Sequence, residues 1–121
     1  MDDLVEFLRA RLAEDAAVAR AADARLGNVL NQVGYSDSAA EADERHIARH
    51  SPARVLREVE AKRRIMECHE PWTASNGDIT CGRCGREHIG GRPGGHFPCQ
   101  TLRLLALPYS DHPDYRQEWA P

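Results

Sequence analysis

Aromatic side chains are scarce in this chain, since Phe, Tyr and Trp together make up 6% of its 121 residues. A hydrophobic core must therefore depend on Leu, Val, Ile and Ala. A chain of this length can form one domain with a modest core and is too short for two. We therefore expect a single domain over residues 1–121, and the length excludes a multidomain enzyme.

Long apolar runs are also lacking, and none approaches the roughly 20 residues that a membrane-spanning helix needs. The chain begins Met1-Asp2-Asp3, which is acidic where a secretory signal would be basic. We therefore expect a cytoplasmic protein that does not enter a membrane. In a reducing cytosol its four cysteines are typical of a metal site rather than of disulfides.

Catalytic motifs are missing from the sequence as well. It has no phosphate-binding glycine loop and no nucleophile elbow, and its Cys and His residues are better explained by a metal site. We expect that the protein is not an enzyme and has no catalytic residues.

Charge is unevenly distributed along the chain. Residues 1–44 carry four Arg against ten acids, whereas residues 45–103 carry eleven Arg and Lys against six acids. The basic middle can face either the acidic N-terminal helix of its own chain or a nucleic acid. Acidic residues interleaved with the basic ones favour the first interpretation. The second would use six arginines: Arg54, Arg57, Arg63, Arg64, Arg83 and Arg86.

Apolar spacing predicts a mainly α fold. Leu4, Leu8 and Leu12 recur every four residues in a helix over about 2–24, and Gly27 and Gly34 then bound a weaker helix or a loop. Ser51 and Pro52 are typical of a helix start. Further helices are expected over about 38–50, 53–69 and 101–107, with a last short helix whose Tyr115 and Trp119 pack back on the domain.

Residues 72–98 differ from the rest because they hold seven glycines and few large apolar side chains. Such a segment cannot bury enough surface to order itself. We therefore divide the domain into a helical part (1–70), a zinc knuckle with a glycine-rich loop (71–99) and C-terminal helices (100–121).

The strongest motif is Cys81-Gly-Arg-Cys84-Gly85. Two thiolates separated by two residues can bind one ion from a tight turn, and glycine after each Cys permits positive φ and close approach of N–H groups to sulfur. Cys99 precedes the leucine-rich helix, where the helix dipole favours a thiolate. We expect these three cysteines to hold a structural Zn²⁺.

Four residues compete for the fourth ligand position: His69, His96, Cys68 and His88. On a regular helix His69 lies on the apolar side with Val55 and Met66, whereas Cys68 points away, so the periodicity favours His69. A fourth thiolate from Cys68 would instead suit an iron–sulfur cluster and a redox sensor. His46 and His50, one helical turn apart, can also bind a metal or present two imidazoles to a ligand. No carboxylate is placed as in a zincin helix, so a solvated or capping role is the favoured interpretation.

The chain resembles a family of small uncharacterised actinobacterial and actinophage proteins. The resemblance depends on residues 46–50 (HIARH) and 52–65 (PARVLREVEAKRRI), and on residues 98–119 from PCQTLRLLALPY to the final Trp. It implies His69, Cys81, Cys84 and Cys99 as the metal positions, with Cys68 and His96 as local variation, and it implies no activity. Similarity to the cluster-binding Wbl regulators is limited to size and cysteine number, since their Gly-Trp-Gly-Gly turn is missing.

The sequence therefore predicts a non-catalytic, zinc-stabilised helical protein that binds another macromolecule, expected to be a protein. Two alternatives stay open: a nucleic-acid-binding regulator and an iron–sulfur redox sensor.

Overall fold

A computed structural model of the protein describes residues 2–35, 42–84 and 97–121, and for residues 26–35 it describes the course of the helix only. Its elements are α1 (Asp3–Tyr35), α2 (Ala42–Arg49), α3 (Pro52–Cys68), β1 (Pro71–Thr73), β2 (Ile79–Cys81) and α4 (Gln100–Ala106), followed by 3-10 turns at Leu107–Tyr109 and Gln117–Trp119. The mainly α class is confirmed. None of the described helices is long and apolar enough to cross a bilayer.

Helix α1 is longer than the sequence predicts. Asp2 begins it, since its Oδ1 accepts the Leu4 N–H at 2.9 Å. The expected break at Gly27 is wrong, because the helix continues through both glycines to Tyr35. A glycine in a helix interior costs only about 1 kcal/mol. Leu26, Val29, Leu30 and Val33 keep helical spacing across it, so the pattern continues.

The chain forms two compact units, which we describe separately. The hairpin unit comprises Met1–Arg11 and Lys62–Pro121, and the helical unit comprises Leu12–Ala61. The expected single domain, with internal boundaries at residues 70 and 99, stays a prediction.

Phe7 is the centre of the apolar cluster in the hairpin unit. Its ring centroid lies 5.1 Å from that of Trp119, 6.1 Å from Tyr115 and 6.3 Å from Tyr109. The predicted packing of Tyr115 and Trp119 on the protein is confirmed, since both are buried. The predicted last helix is instead a single 3-10 turn. Aromatic ring contacts, rather than a series of helical backbone hydrogen bonds, hold this segment in place.

The helical unit buries small and aliphatic side chains, among them Leu12, Ala16, Ala19 and Val59. Ser51 begins α3 as expected: its carbonyl accepts the Val55 N–H at 3.0 Å and its Oγ accepts the Arg54 N–H at 3.4 Å. Helix α2 has no buried residue.

A two-stranded antiparallel hairpin lies where the sequence predicted only a knuckle and loop. Pro71 pairs with Cys81, and Thr73 pairs with Ile79. Among the residues that the structure describes, Gly77 has a positive φ (87°), which allows the turn. The Ala74 N–H donates to the Asp78 carbonyl across the turn at 2.8 Å. The hairpin therefore returns the chain from the end of α3 to Cys81.

Candidate metal centre

His69 lies just beyond the last residue of α3. Its backbone N–H donates to the Met66 carbonyl at 3.0 Å, which closes the final turn of the helix. Met66 is buried, so this turn is held against the interior of the hairpin unit. The imidazole is half-buried, as the helical periodicity predicts, whereas Cys68 is exposed.

The hairpin register determines where Cys81 lies. Cys81 ends β2 and pairs with Pro71, which lies two residues after His69 in the chain. The Cys81 side chain is fully buried. Cys84 follows in the tight turn, and its N–H donates to the Cys81 Sγ at 3.5 Å. The two cysteines and the backbone between them thus form a knuckle around one point.

The glycine at position 82 is explained by a close backbone contact and not by an unusual backbone angle. The expectation of positive φ is wrong for Gly82, because Gly77 is the glycine with positive φ among the described residues. The Gly82 N–H donates to the Glu70 carbonyl at 2.8 Å, and a Cβ at position 82 would lie 3.3 Å from that oxygen. Close approach of two backbones therefore explains the glycine here. Gly85 lies outside the described residues.

Cys99 follows a segment that is hydrogen-bonded to β2. The Phe97 N–H donates to the Ile79 carbonyl at 3.3 Å, which brings the chain alongside β2. Cys99 is the N-cap residue of α4, its carbonyl accepts the Arg103 N–H at 3.2 Å, and its side chain is buried. The predicted start of the leucine-rich helix just after Cys99 is confirmed.

These elements bring four side chains together. The ligand atoms of His69, Cys81, Cys84 and Cys99 all lie within 4.8 Å of one another. The Nδ1 atom of His69 lies 3.4 Å from the Cys81 Sγ, 3.5 Å from the Cys84 Sγ and 3.6 Å from the Cys99 Sγ. None of the three cysteines forms a disulfide. The group can hold a metal ion.

The thiols influence one another's protonation. Burial disfavours the thiolate of Cys81, but the backbone N–H groups of Cys84 and Arg83, together with the neighbouring thiols, hold its pKa below the ordinary value. Burial and the negative charge of the other two cysteines raise the pKa of Cys84 to about 12. A positive ion beside Cys84 would favour its thiolate and offset these effects.

Among the other three candidates for the fourth ligand, the structure describes Cys68, which does not belong to this group. The exposed Cys68 lines a separate cavity of about 440 Å³ together with Trp72 and Gly82. His88 and His96 lie outside the described residues. An iron–sulfur site would need Cys68 as a fourth thiolate. Among the residues that the structure describes, Cys68 does not lie with the other three cysteines.

The arginines of the nucleic-acid alternative are spread over both units. Arg54 and Arg57 lie in the helical unit, where Arg54 Nε pairs with Glu58 Oε1 at 2.9 Å. The hairpin unit holds Arg63, Arg64 and Arg83, and Arg86 lies outside the described residues. A nucleic-acid interface stays a prediction.

Comparison with known proteins places the whole chain in one family. A family model with the description "Family of unknown function (DUF6221)" matches residues 1–121. The chain belongs to this family. The predicted membership of an uncharacterised family is thereby confirmed, while the actinobacterial and phage origin stays a prediction. Searches of the curated proteins and of the solved structures found no match.

The hairpin is the part of the site that the sequence reasoning missed. Its signal was the Asn76-Gly77 pair between Trp72-Thr73 and Ile79-Thr80. Asn76 Oδ1 accepts the Asp78 N–H at 3.1 Å, which is the local hydrogen bond that this turn chemistry favours. Reading that pair as a hairpin would have placed Cys81 beside the end of α3.

Proposed function

We propose that the protein is a non-catalytic helical module whose hairpin unit is held together by one structural Zn²⁺ bound to His69, Cys81, Cys84 and Cys99. The observation that carries the proposal is the near-equal distance of His69 Nδ1 from the three sulfurs, 3.4–3.6 Å. Three soft thiolates and one imidazole are a donor set that zinc prefers.

The spacing of the ligand atoms supports a tetrahedral ion. With Zn–S bonds of about 2.3 Å and Zn–N bonds of about 2.0–2.1 Å, neighbouring N and S ligands in a tetrahedron lie about 3.6 Å apart. The three N–S distances in the site agree with this value to within a few tenths of an ångström. Two sulfurs on one zinc ion lie about 3.8 Å apart, so the ligand atoms, which extend up to 4.8 Å from one another, would draw together around the ion.

The number of protein ligands supports a structural role rather than a catalytic one. Catalytic zinc sites keep one position for water or substrate, whereas structural sites use four protein ligands. Here the imidazole and the three thiols provide four donors, and Cys81 and Cys99 are buried. With all four bound, the ion has no open position for a substrate.

The bound ion would cross-link three elements of the hairpin unit. His69 follows α3, Cys81 and Cys84 belong to the hairpin and its knuckle, and Cys99 begins α4. The strands are three residues each and mostly exposed, so they bury little apolar surface of their own. In such a unit the free energy of metal binding becomes free energy of folding.

We propose that the stabilised hairpin unit binds a protein partner. Large apolar side chains remain exposed on the hairpin and on α4: Trp72 is 43%, Ile79 55% and Leu104 50% exposed. Exposed aromatic and aliphatic side chains on a rigid support are typical of protein interfaces.

The metal part of the proposal is tested by native mass spectrometry of protein purified without chelators, followed by chelation and circular dichroism. We expect one zinc per chain and loss of ordered structure when it is removed. Full helicity in metal-free protein would overturn the proposal.

The partner part is tested with immobilised metal-loaded protein and an extract of the native host. Proteins that the parent retains should not bind to Trp72→Ser or Ile79→Ser. They should still bind to the control Val18→Ser, because Val18 lies in the helical unit and its side chain is 72% exposed. If all three immobilised variants retain the same proteins as the parent, the result would contradict an interface on the hairpin. Duplex DNA binding that falls steeply with salt would favour the nucleic-acid alternative instead.

A further inference from the structure

Helix α2 is exposed on all sides, which leaves the role of its side chains unexplained by packing. None of its residues is buried, and even Ile47 is 51% exposed. The helix has Asp43 and Glu44 in its first turn, and His46 and Arg49 in its last. Its chemistry is therefore available to a ligand in solution.

His46 and His50 form a pair at the C-terminal end of this helix. The His50 N–H donates to the His46 carbonyl at 3.0 Å, so the turn that relates the two residues is closed although α2 ends at Arg49. Residues four apart on a helix differ by about 40° around the axis and face the same side. The two ring centroids lie 4.6 Å apart with the planes at 42°.

We propose that His46 and His50 form a second metal site, which binds a divalent first-row transition ion through two imidazole nitrogens. In the described part of the chain neither imidazole has a hydrogen-bond or ion-pair partner, so both keep a lone pair for an ion. Two imidazoles bound at adjacent positions of an octahedral ion, with metal–nitrogen bonds of about 2.1 Å, place their ring centroids about 4.6 Å apart, whereas tetrahedral positions place them about 5.3 Å apart. The rings already have the octahedral separation.

Charges of both signs lie at this end of α2. Arg49 is in the last turn and the Arg54 guanidinium donates to the Arg49 carbonyl at 3.0 Å, whereas the helix dipole and a carboxylate favour a cation. The C-terminal end of a helix carries partial negative charge, and both histidines lie in or next to the last turn. Asp43 is three residues before His46, on the same side of the helix, and adds a carboxylate to that side.

The donor type determines which ions can bind. Imidazole nitrogen suits Ni²⁺, Cu²⁺ and Zn²⁺, whereas Mg²⁺ and Ca²⁺ prefer oxygen. With two protein ligands, the remaining positions hold water or a donor from a partner. The site therefore differs from the Cys and His cluster in having open positions, and it lies on an element of the helical unit.

The test is calorimetric titration of Ni²⁺, which does not oxidise thiols, into the protein as purified. The parent should bind Ni²⁺ roughly tenfold or more tightly than His46→Ala or His50→Ala, because the second imidazole acts as an intramolecular ligand. Imidazole NMR signals of His46 and His50 should broaden before those of the other histidines.

A matched control keeps the number of imidazoles constant. The double variant Glu44→His with His50→Ala leaves two histidines on α2, two residues and about 200° apart, where they cannot share an ion. It should bind Ni²⁺ as weakly as the single variants. Circular dichroism checks that each variant folds like the parent. Equal Ni²⁺ affinity in the parent and all three variants, or no binding by the parent, would overturn the proposal.

Discussion

The Nδ1 atom of His69 lies 3.4 Å from the Sγ atom of Cys81, although twelve positions separate the two residues. The hairpin makes this approach possible, because Pro71, two residues after His69, pairs with Cys81. The end of α3 and the end of β2 are thereby brought to one point, and Cys84 and Cys99 complete the group around it.

Replacing a cluster cysteine should abolish stable zinc binding, while replacing Cys68 should not. Cys81→Ser, Cys84→Ser and Cys99→Ser each remove one thiolate from the group, whereas Cys68 is exposed and lies outside it. Native mass spectrometry of protein expressed in zinc-supplemented medium measures the outcome. Zinc loss from Cys68→Ser equal to that from Cys81→Ser would contradict the assignment of His69 as fourth ligand.

Removal of the ion should destabilise the hairpin unit by several kcal/mol, because metal binding there supplies folding free energy. Trp72 lies in β1, so the fluorescence of a Trp119→Phe variant reports on the hairpin during a thermal scan. Excess chelator should lower the melting temperature of this protein. The same chelator should leave the scan of a Cys81→Ser derivative unchanged, and an equal shift in that derivative would show that the chelator acts elsewhere.

Two glycine substitutions should disturb the hairpin unit in different ways. Gly82→Ala places a Cβ 3.3 Å from the Glu70 carbonyl, displaces the knuckle and should weaken zinc binding roughly tenfold, as loss of a supporting contact does. Gly77→Ala has open space but must adopt φ +87°, which costs about 1–2 kcal/mol. Competition with a chromophoric chelator measures the affinity, and urea unfolding measures the stability. A zinc affinity of Gly82→Ala equal to that of the parent would refute the role given to Gly82.

Phe7→Ala should lower the free energy of unfolding by about 3–5 kcal/mol, because it removes a buried ring from a packed cluster. The ring contacts Trp119 and Tyr115, so the C-terminal segment should lose protection from proteolysis first. Val18→Ala, at a position 72% exposed in the same helix, is the control and should change stability by about 0.5 kcal/mol or less. Urea unfolding with limited proteolysis checks both, and a similar loss in the two variants would contradict the packing described.

Much of the candidate site could be predicted because short-range rules determine it. The spacing of Cys81 and Cys84 indicates a knuckle without any knowledge of the fold. Helical periodicity places His69 on the buried side of α3 and Cys68 on the exposed side, and the structure has them so. Both rules act within a few residues, where local geometry decides.

The parts that were missed depend on longer-range or weaker effects. Strands of three residues are too short to show alternation, so the hairpin had only its Asn76-Gly77 turn as a signal. The continuation of α1 through Gly27 depends on a small difference between the cost of glycine and the gain from its neighbours. The irregular C-terminal path is determined by contact with Phe7, more than a hundred residues away in the chain.

X-ray absorption at the zinc edge, on protein purified without added metal or chelator, identifies the atoms bound to the ion. We expect a zinc ion with three sulfur neighbours at about 2.3 Å and one nitrogen neighbour at about 2.0–2.1 Å. Protein that contains no zinc, or zinc surrounded by oxygen and nitrogen alone, would contradict the proposed zinc site.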